Sequence, residues 1–244
     1  MSGHSKWSTI KRQKAVNDNA RGKLFSKLSR GVSVAVKSGG PTPEMNHRLR
    51  MAIDAAKAAN MPKDTIDRAI AKASESAENL EEVVYEGFGP EGIQVIIEAA
   101  TDNRNRTSQE VKYLLERSGG TLGGPGAVSF NFDSKGYLLV KKSEDVDGQI
   151  LALIDLGVDD VEEVQSGIEV YVQQHDLFET KKSVEQGGFE VLETQLLKKP
   201  KLEMKIQDKG VARRMVALLE GLDELEDVQG VYMNADIDEH LLQE

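Results

Sequence analysis

The sequence has 244 residues and a mass of 26.8 kDa, a length that suggests one to three domains. Hydrophobic residues make up 39% and charged residues 30% of the chain, which excludes a wholly disordered protein. The absence of cysteine excludes disulfides, thiolate zinc sites and cysteine nucleophiles. No apolar stretch approaches the roughly 20 residues that span a bilayer. We therefore expect a cytoplasmic protein without membrane contact, although the basic, acid-poor start also resembles an organelle transit peptide.

The net charge of −10 is unevenly distributed along the chain. Residues 1–73 contain 15 Lys and Arg against 5 Asp and Glu, a net charge of +10. Residues 74–244 contain 16 against 36, a net charge of −20. An asymmetry of this size between parts of one chain indicates an interaction surface. We therefore expect the first 73 residues to contact a polyanion.

The basic region has the pattern of helices. Apolar residues recur at every fourth position between residues 21 and 37, which predicts a helix with one apolar face. Two glycines and a proline at 39–41 end this helix, because they favour a left-handed stop and prevent its continuation. Thr42 and Pro43 are expected to begin a second helix, and Pro62 a third. The sequence therefore predicts a basic three-helix bundle over residues 1–73.

Basic side chains surround Trp7, the only tryptophan of the chain. Residues 1–30 contain eight Lys and Arg and a single acid, Asp18. Cations beside an exposed aromatic ring are typical of phosphate contact combined with stacking on a base or sugar, whereas a solvated helix face is the alternative for a run of lysines. The predicted nucleic-acid-binding residues are Lys6, Trp7, Lys11, Arg12, Lys14, Arg21, Lys23, Lys27 and Arg30.

Residues 74–82 are polar and acidic, and we interpret them as a linker. Strands are predicted at 83–87 and 92–99, followed by a helix, a glycine-rich loop at 119–126 and a strand at 127–132. The loop follows a helix and precedes a strand, which is the reverse of a phosphate-binding loop. We therefore interpret it as a connection.

Residues 134–200 follow the order β-α-β-β-α-β, which is that of the ferredoxin-like unit. The flanking segments, 83–133 and 201–244, are each too short to bury a core alone. We therefore expect them to join into one discontinuous α+β domain into which the ferredoxin-like domain is inserted. The fold class is then multidomain, α and α+β.

The chain lacks the motifs of hydrolases, phosphate-loop NTPases and zinc proteases. Its four histidines lie in separate predicted elements, so we expect no metal site and no cofactor. The acidic pairs Asp145/Asp147 and Asp159/Asp160 could hold Mg²⁺ for phosphoryl chemistry, but solvated charge is their ordinary explanation. We therefore expect no enzymatic activity, with a metal-dependent phosphodiesterase as a remote alternative.

A short segment before one predicted helix places two arginines in its first turn. Asp102 or Asn103 can cap this helix, and Arg104 and Arg106 then lie where the helix macrodipole disfavours cations by about 0.3–1 kcal/mol each. Pairing with Asp102 or Glu110 would cancel this cost. The alternative is that both arginines bind an anion such as a phosphate.

The sequence resembles the YebC family, which includes the mitochondrial translational activator of cytochrome c oxidase. The shared motifs lie in order along nearly the whole chain: GHSKW at 3–7, RGKLFSKL at 21–28, NMPKD at 60–64, YEGFGP at 85–90, TDN at 101–103, GG at 119–120, LG at 122–123, DVQ at 227–229 and VY at 231–232. Gly31 is a departure, because an acidic residue is expected after Arg30. Gly230 is another, since the family often carries a larger polar residue there.

The resemblance implies a helical bundle, an α+β domain with a ferredoxin-like insert, and a non-enzymatic regulator of gene expression. The family is commonly labelled as DNA-binding transcriptional regulators, and some members are understood as ribosome-associated translation factors. A basic bundle without a recognisable helix-turn-helix suits structured RNA as well as duplex DNA. We expect a ribosome-associated factor that contacts rRNA, with Arg104 and Arg106 as a second RNA contact. A duplex-DNA-binding transcriptional regulator is the alternative.

Overall fold

The structure is a computed structural model that describes residues 18–75, 80–237 and 241. Over these residues the protein is a mixed α+β chain of several units, with seven α-helices and three sheets. The helices are α1 (Asp18–Gly39), α2 (His47–Ala58), α3 (Lys63–Glu75), α4 (Arg104–Arg117), α5 (Val146–Asp155), α6 (Leu177–Gln186) and α7 (Lys209–Glu224). The strands are β1 (Glu81–Phe88), β2 (Gln94–Thr101), β3 (Thr121–Leu122), β4 (Phe132–Val140), β5 (Asp160–Val164), β6 (Gly167–Gln173), β7 (Val191–Pro200), β8 (Met204–Ile206), β9 (Val228–Met233) and β10 (Ala235–Ile237).

Helices α1, α2 and α3 pack around a common apolar core. Val32 and Val36 from the predicted stripe of α1 are buried there with Leu49 of α2 and Ala73 of α3. The third helix begins directly after Pro62, as its sequence predicts. These three helices therefore form one unit, which we call the helical unit.

The predicted start of the second helix at Thr42 and Pro43 is wrong. Helix α2 begins at His47, because the side chain of Asn46 caps it by accepting a hydrogen bond from the amide of Leu49 at 3.0 Å. The amide nitrogen of the same side chain donates to the carbonyls of Ala35 at 2.7 Å and Gly40 at 2.8 Å. One buried asparagine therefore caps α2 and fixes its position against α1.

The first sheet is antiparallel and has the strand order β3-β1-β2-β9. Helices α4 and α7 cover one of its faces, where Leu115 and Met215 pack against Ile97 and Val231. Because α7 and β9 follow residue 200, this sheet and its helices are assembled from two segments that are distant in sequence.

The second sheet is antiparallel and has the strand order β5-β6-β4-β7. Helices α5 and α6 cover one face, where Leu153 and Val184 are completely buried. The other face packs against the first sheet, through Tyr137 and Tyr171 on one side and Ile96 on the other. The two sheets therefore share an apolar core between their facing surfaces.

The strand predicted at 127–132 is wrong, because this segment is largely a turn that ends where β4 begins. The buried carboxylate of Glu86 accepts hydrogen bonds from the amides of Gly126, Val128 and Ser129 at 2.7–2.8 Å. Burial raises the pKa of Glu86, but these amides outweigh it and hold the pKa below its ordinary value. Amides that donate to a carboxylate cannot also join a strand ladder, so the chain turns around Glu86.

Two glycines of the glycine-rich loop differ in the space around their Cα atoms. A Cβ on Gly120 would lie 2.1 Å from the carbonyl oxygen of Phe88, whereas a Cβ on Gly124 would have no atom within 4 Å. We expect Gly120→Ala to lower the free energy of unfolding by about 1–3 kcal/mol or more, because the backbone must move. Gly124→Ala should change it by less than about 0.5 kcal/mol. Urea denaturation measures both values, and equal stabilities would contradict the close packing of this loop on β1.

Candidate nucleic-acid interface

The structure positions the side chains of three of the nine predicted nucleic-acid-binding residues. Arg21 lies in α1, but its side chain is outside the described part of the chain. Lys23, Lys27 and Arg30 are described. The remaining five fall outside the described residues, and their role stays a prediction: Lys6, Trp7, Lys11, Arg12 and Lys14.

Lys27 lies at the carboxyl-terminal end of α7. Its Nζ donates to the backbone carbonyl of Asp223 at 2.5 Å and to the Oδ1 of the same residue at 2.8 Å, and only 9% of Lys27 is exposed. Carbonyls in the last turn of a helix lack intrahelical donors, and a cation there complements the helix macrodipole. Lys27 therefore caps α7 from within the same chain. Lys23, one turn earlier, has its Nζ 3.9 Å from Glu224 and remains more than half exposed.

Arg30 pairs with Asp227, a carboxylate that is 3% exposed and follows α7 directly. Its Nη1 donates to Asp227 Oδ1 and to the carbonyl of Ala100 at 3.1 Å. A Cβ on the neighbouring Gly31 would lie 3.3 Å from the side-chain oxygen of Gln229. Helix α1 therefore approaches the first sheet closely at the position where the sequence departs from the expected acidic residue.

The second oxygen of Asp227 binds residues at the start of α4. Asp227 Oδ2 accepts hydrogen bonds from the hydroxyls of Thr101 at 2.9 Å and Thr107 at 2.6 Å, and from Nη2 of Arg106 at 2.7 Å. We call Asp227, Arg30, Arg106, Thr101 and Thr107 the Asp227 cluster. It joins α1, the end of β2, the start of α4 and the segment after α7.

Burial raises the pKa of Asp227, but hydrogen bonds from Thr107, Arg106 and Thr101 outweigh burial, and the charge of Arg30 adds to them. The pKa of Asp227 therefore lies below its ordinary value. The same carboxylate raises the pKa of Arg106. The contribution of Asp227 to stability is present above its unfolded-state pKa of about 3.9 and is lost as the pH falls through the lower folded-state pKa.

The two arginines predicted as a second anion contact have different surroundings. Arg106 pairs with Asp102 at 2.9 Å as well as with Asp227, so the pairing predicted as one alternative is present. Arg104 is exposed and has no ion-pair partner among residues 18–75 and 80–237. Its backbone carbonyl accepts a hydrogen bond from the Tyr85 hydroxyl at 3.1 Å. The guanidinium of Arg104 therefore faces solvent beside the Asp227 cluster.

Helix α2 holds the helical unit against both sheets. Arg48 forms an ion pair with Glu82 of β1, and the guanidinium of Arg50 lies 4.6 Å from the ring centroid of Phe178 in α6. A cavity of about 280 Å³ lies between α1, α2 and the first sheet, with Arg48, Glu82 and Gln229 in its wall. No local sequence pattern predicts these contacts or the partners Asp223 and Asp227. The only signal for Asp227 is its place in the DVQ motif of the family resemblance.

The acidic pairs considered for phosphodiesterase chemistry have structural contacts. Asp145 caps α5 by accepting from the amide of Gly148 at 2.9 Å. Asp159 pairs with Lys135 at 2.8 Å, and Asp160 pairs with Lys199 at 2.6 Å. The described residues contain no group of three His, Asp or Glu side chains that could hold a metal ion. None of the described helices is long and apolar enough to cross a membrane.

Two family models match this chain. The model described as the TACO1/YebC protein N-terminal domain matches residues 5–76, and the model described as the TACO1/YebC second and third domain matches residues 80–235.

Relatives and a solved structure match over nearly the full length. A "Probable transcriptional regulatory protein" of Acetivibrio thermocellus is 43% identical over 238 residues, covering 96% of this chain and 98% of the relative. One of the same name from Aquifex aeolicus is 44% identical over 246 residues, covering 100% and 99%. The crystal structure of a conserved hypothetical protein from Aquifex aeolicus has a TM-score of 0.85 at 43% identity, covering 93% of this chain and 95% of that chain.

Asp227→Asn should lower the free energy of unfolding by about 2–3 kcal/mol. This is below the 3–5 kcal/mol typical of a broken buried pair, because the side chains of Arg30 and Arg106 are 22% and 44% exposed. Urea denaturation measures the change. Asp102→Asn is the matched control, since that carboxylate is 59% exposed and its loss should cost less than about 1 kcal/mol. Equal effects of the two substitutions would contradict a structural role for the Asp227 cluster.

Proposed function

This chain belongs to the TACO1/YebC family, and we propose that it regulates gene expression by binding nucleic acid through its basic amino-terminal region. The relatives in Acetivibrio thermocellus and Aquifex aeolicus are named probable transcriptional regulatory proteins, which supports transcription as the process regulated. The proposed activity is non-enzymatic and needs no cofactor. The partner is a nucleic acid, and duplex DNA is the first candidate.

One observation carries this proposal: among the predicted binding residues of α1 whose side chains the structure describes, only the one nearest the amino end of the helix is more than half exposed. Lys27 and Arg30 are neutralised by carboxylates of the same chain, whereas Lys23, towards the amino end, is more than half exposed. The proposed phosphate contacts therefore lie at the start of α1 and in the residues before it, where the chain is most basic. They are Lys6, Lys11, Arg12, Lys14, Arg21 and Lys23, with Trp7 as the stacking residue.

We also propose the three-part organisation that the sequence predicts. Residues 1–73 would be the helical bundle, 83–133 with 201–244 the discontinuous domain, and 134–200 the ferredoxin-like insert. The strand order β5-β6-β4-β7 and the two helices on one face of that sheet support the last assignment. In this arrangement the insert lies on the sheet face opposite α4 and α7 and does not take part in the proposed nucleic-acid contact.

Replacing Lys11, Arg12, Lys14 and Lys23 by alanine should weaken binding to duplex DNA of any sequence. Each phosphate contact adds about 0.9 to the slope of log affinity against log salt on B-DNA, so losing four should flatten the slope by as much as about 3.6. Fluorescence anisotropy at several salt concentrations measures both quantities.

The matched control replaces Lys37, Lys57, Lys63 and Arg68, four exposed cations elsewhere in the helical unit, by alanine. It changes the net charge equally and should retain most of the affinity and the salt slope. If both variants lose affinity equally, binding depends on total charge, and the proposed interface is wrong.

A ribosome-associated role is the second candidate, and the charge of residues 74–244 favours it. A net charge of −20 in this part repels bare duplex DNA at long range. A ribosome presents folded RNA together with basic proteins, so it could accept the basic and the acidic parts of this protein in one orientation. The exposed Arg104 would then be a further RNA contact.

Sedimentation of a cell lysate through a sucrose gradient at physiological salt separates the two candidates. A ribosome-associated factor should migrate with ribosomal particles, and Arg104→Glu should reduce this because the residue faces solvent unpaired. Lys182→Glu, an exposed cation on α6, is the control that should not. Protein found only at the top of the gradient, with tight sequence-specific binding to duplex DNA, would favour transcription.

A further inference from the structure

The exposed surface of α4 and α7 carries four arginines that the described part of the chain leaves without ion-pair partners. They are Arg104, Arg117, Arg213 and Arg214, all of them exposed. The lysines around the second sheet differ, since several lie 2.6–2.8 Å from a carboxylate: Lys135, Lys141, Lys142 and Lys199. Four unpaired arginines on two adjacent helices form a candidate site for an external anion.

The packing of α4 against α7 brings two of these arginines to one end of the helix pair. The helices run antiparallel, because Arg106 near the start of α4 bonds Asp227 just after α7, and Leu114 further along α4 approaches Gly221, where a Cβ would lie 3.2 Å away. From that contact, Arg117 is three residues further along α4 and Arg214 is seven residues back along α7. At 1.5 Å per residue they lie roughly 6 Å apart along the helix axes.

Both side chains lie beside the groove between the two helices. Arg214 is two turns from Gly221 and therefore shares the side of α7 that contacts α4. Arg117 is four residues after Tyr113, so these two share one face of α4. Ser118 follows the helix, and the next two residues, Gly119 and Gly120, carry no side chain that could exclude a ligand from Arg117.

Tyr113 supplies an aromatic ring on this face. Its exposure is 60%, whereas the other four tyrosines of the chain are buried. An exposed ring beside guanidinium groups suits a nucleobase that stacks while its phosphates bind arginine, which presents a planar fork to phosphate oxygens. A base inside a duplex cannot stack on such a ring, so the fit is to an unpaired strand.

We propose that the α4–α7 face, formed by Tyr113, Arg117, Arg213 and Arg214, binds an unpaired stretch of RNA. This rests on the proposed function in its ribosome-associated form, in which the partner is RNA. Helix α7 has 16 residues and is about 24 Å long, so one strand of several nucleotides can lie along the helix pair.

Charge reversal at the far end of the face tests the proposal in the full-length chain. The probe is a short fluorescein-labelled RNA of mixed sequence without self-complementarity, with anisotropy recorded at several salt concentrations. The double variant Arg117→Glu and Arg214→Glu should bind at least about tenfold more weakly, with a salt slope lower by about 1.4, the value for two phosphate contacts on a single strand. The control variant, Lys141→Glu with Lys182→Glu, makes the same charge change around the second sheet. It should retain most of the affinity.

Substitutions of Tyr113 test base stacking separately from charge, because they leave the net charge of the chain unchanged. Tyr113→Ala should weaken RNA binding by about tenfold, within the range for loss of one base–aromatic stack, whereas Tyr113→Phe should bind like the wild type. Thermal melting of each variant checks that the fold is retained.

Three results would overturn the proposal: a loss no greater than that of the lysine control, an equal loss on duplex DNA, or no binding of the RNA by the wild-type chain. The alanine variant of Lys11, Arg12, Lys14 and Lys23 is measured in parallel. If it binds like the wild type while the α4–α7 variants do not, the amino-terminal interface fails and the face described here stands.

Discussion

A buried carboxylate is stable in a protein only when charges and hydrogen bonds compensate its lost hydration, and Asp227 imposes this requirement on three other segments of the chain. Arg30 reaches it from α1, Thr101 from the end of β2, and Arg106 from α4. None of these segments can move away without leaving charge or a polar group unpaired. The position of the helical unit on the first sheet therefore depends on this one side chain.

Ion pairs within the molecule reduce the positive charge that the first 73 residues present to an external partner. Some of the complementarity between the basic first 73 residues and the acidic remainder is used inside the molecule, through Lys27 with Asp223, Arg30 with Asp227 and Arg48 with Glu82. These cations orient the helical unit and are not available to phosphate. Exposed cations remain near the amino end of α1, elsewhere in the helical unit, and on α4 and α7.

Much of the secondary structure follows from local patterns, because periodicity and turn residues act over a few positions. The strands predicted at 83–87 and 92–99 are present as β1 and β2, with each bound within two residues of the prediction. The prediction fails where one side chain redirects the backbone: Asn46 moves the start of α2, and Glu86 replaces a predicted strand with a turn. The short strands β8 and β10 were missed, since three residues carry no readable period.

The candidate site was less predictable than the fold, because its decisive contacts join residues far apart in sequence. Arg30 and Asp227 are separated by 197 positions, and no local pattern pairs them. The sequence did raise pairing as one explanation for Arg106, since cations in the first turn of a helix need compensation. It suggested Asp102 correctly and could not suggest Asp227, which becomes a neighbour only after α7 packs beside α4.

The polar junction between the helical unit and the first sheet fixes the orientation of the helical unit and leaves basic side chains exposed near the amino end of α1. In the described residues, the apolar cores of the helical unit and of the first sheet are separate clusters. The ion pairs of Lys27, Arg30 and Arg48 join the two, and charged hydrogen bonds restrict the geometry between their partners. With α1 held at Lys27 and Arg30, the next cation towards its amino end, Lys23, lies beside Glu224 at the carboxyl-terminal end of α7. The carboxylates that fix the helix therefore neutralise Lys27 and Arg30, while Lys23 stays more than half exposed.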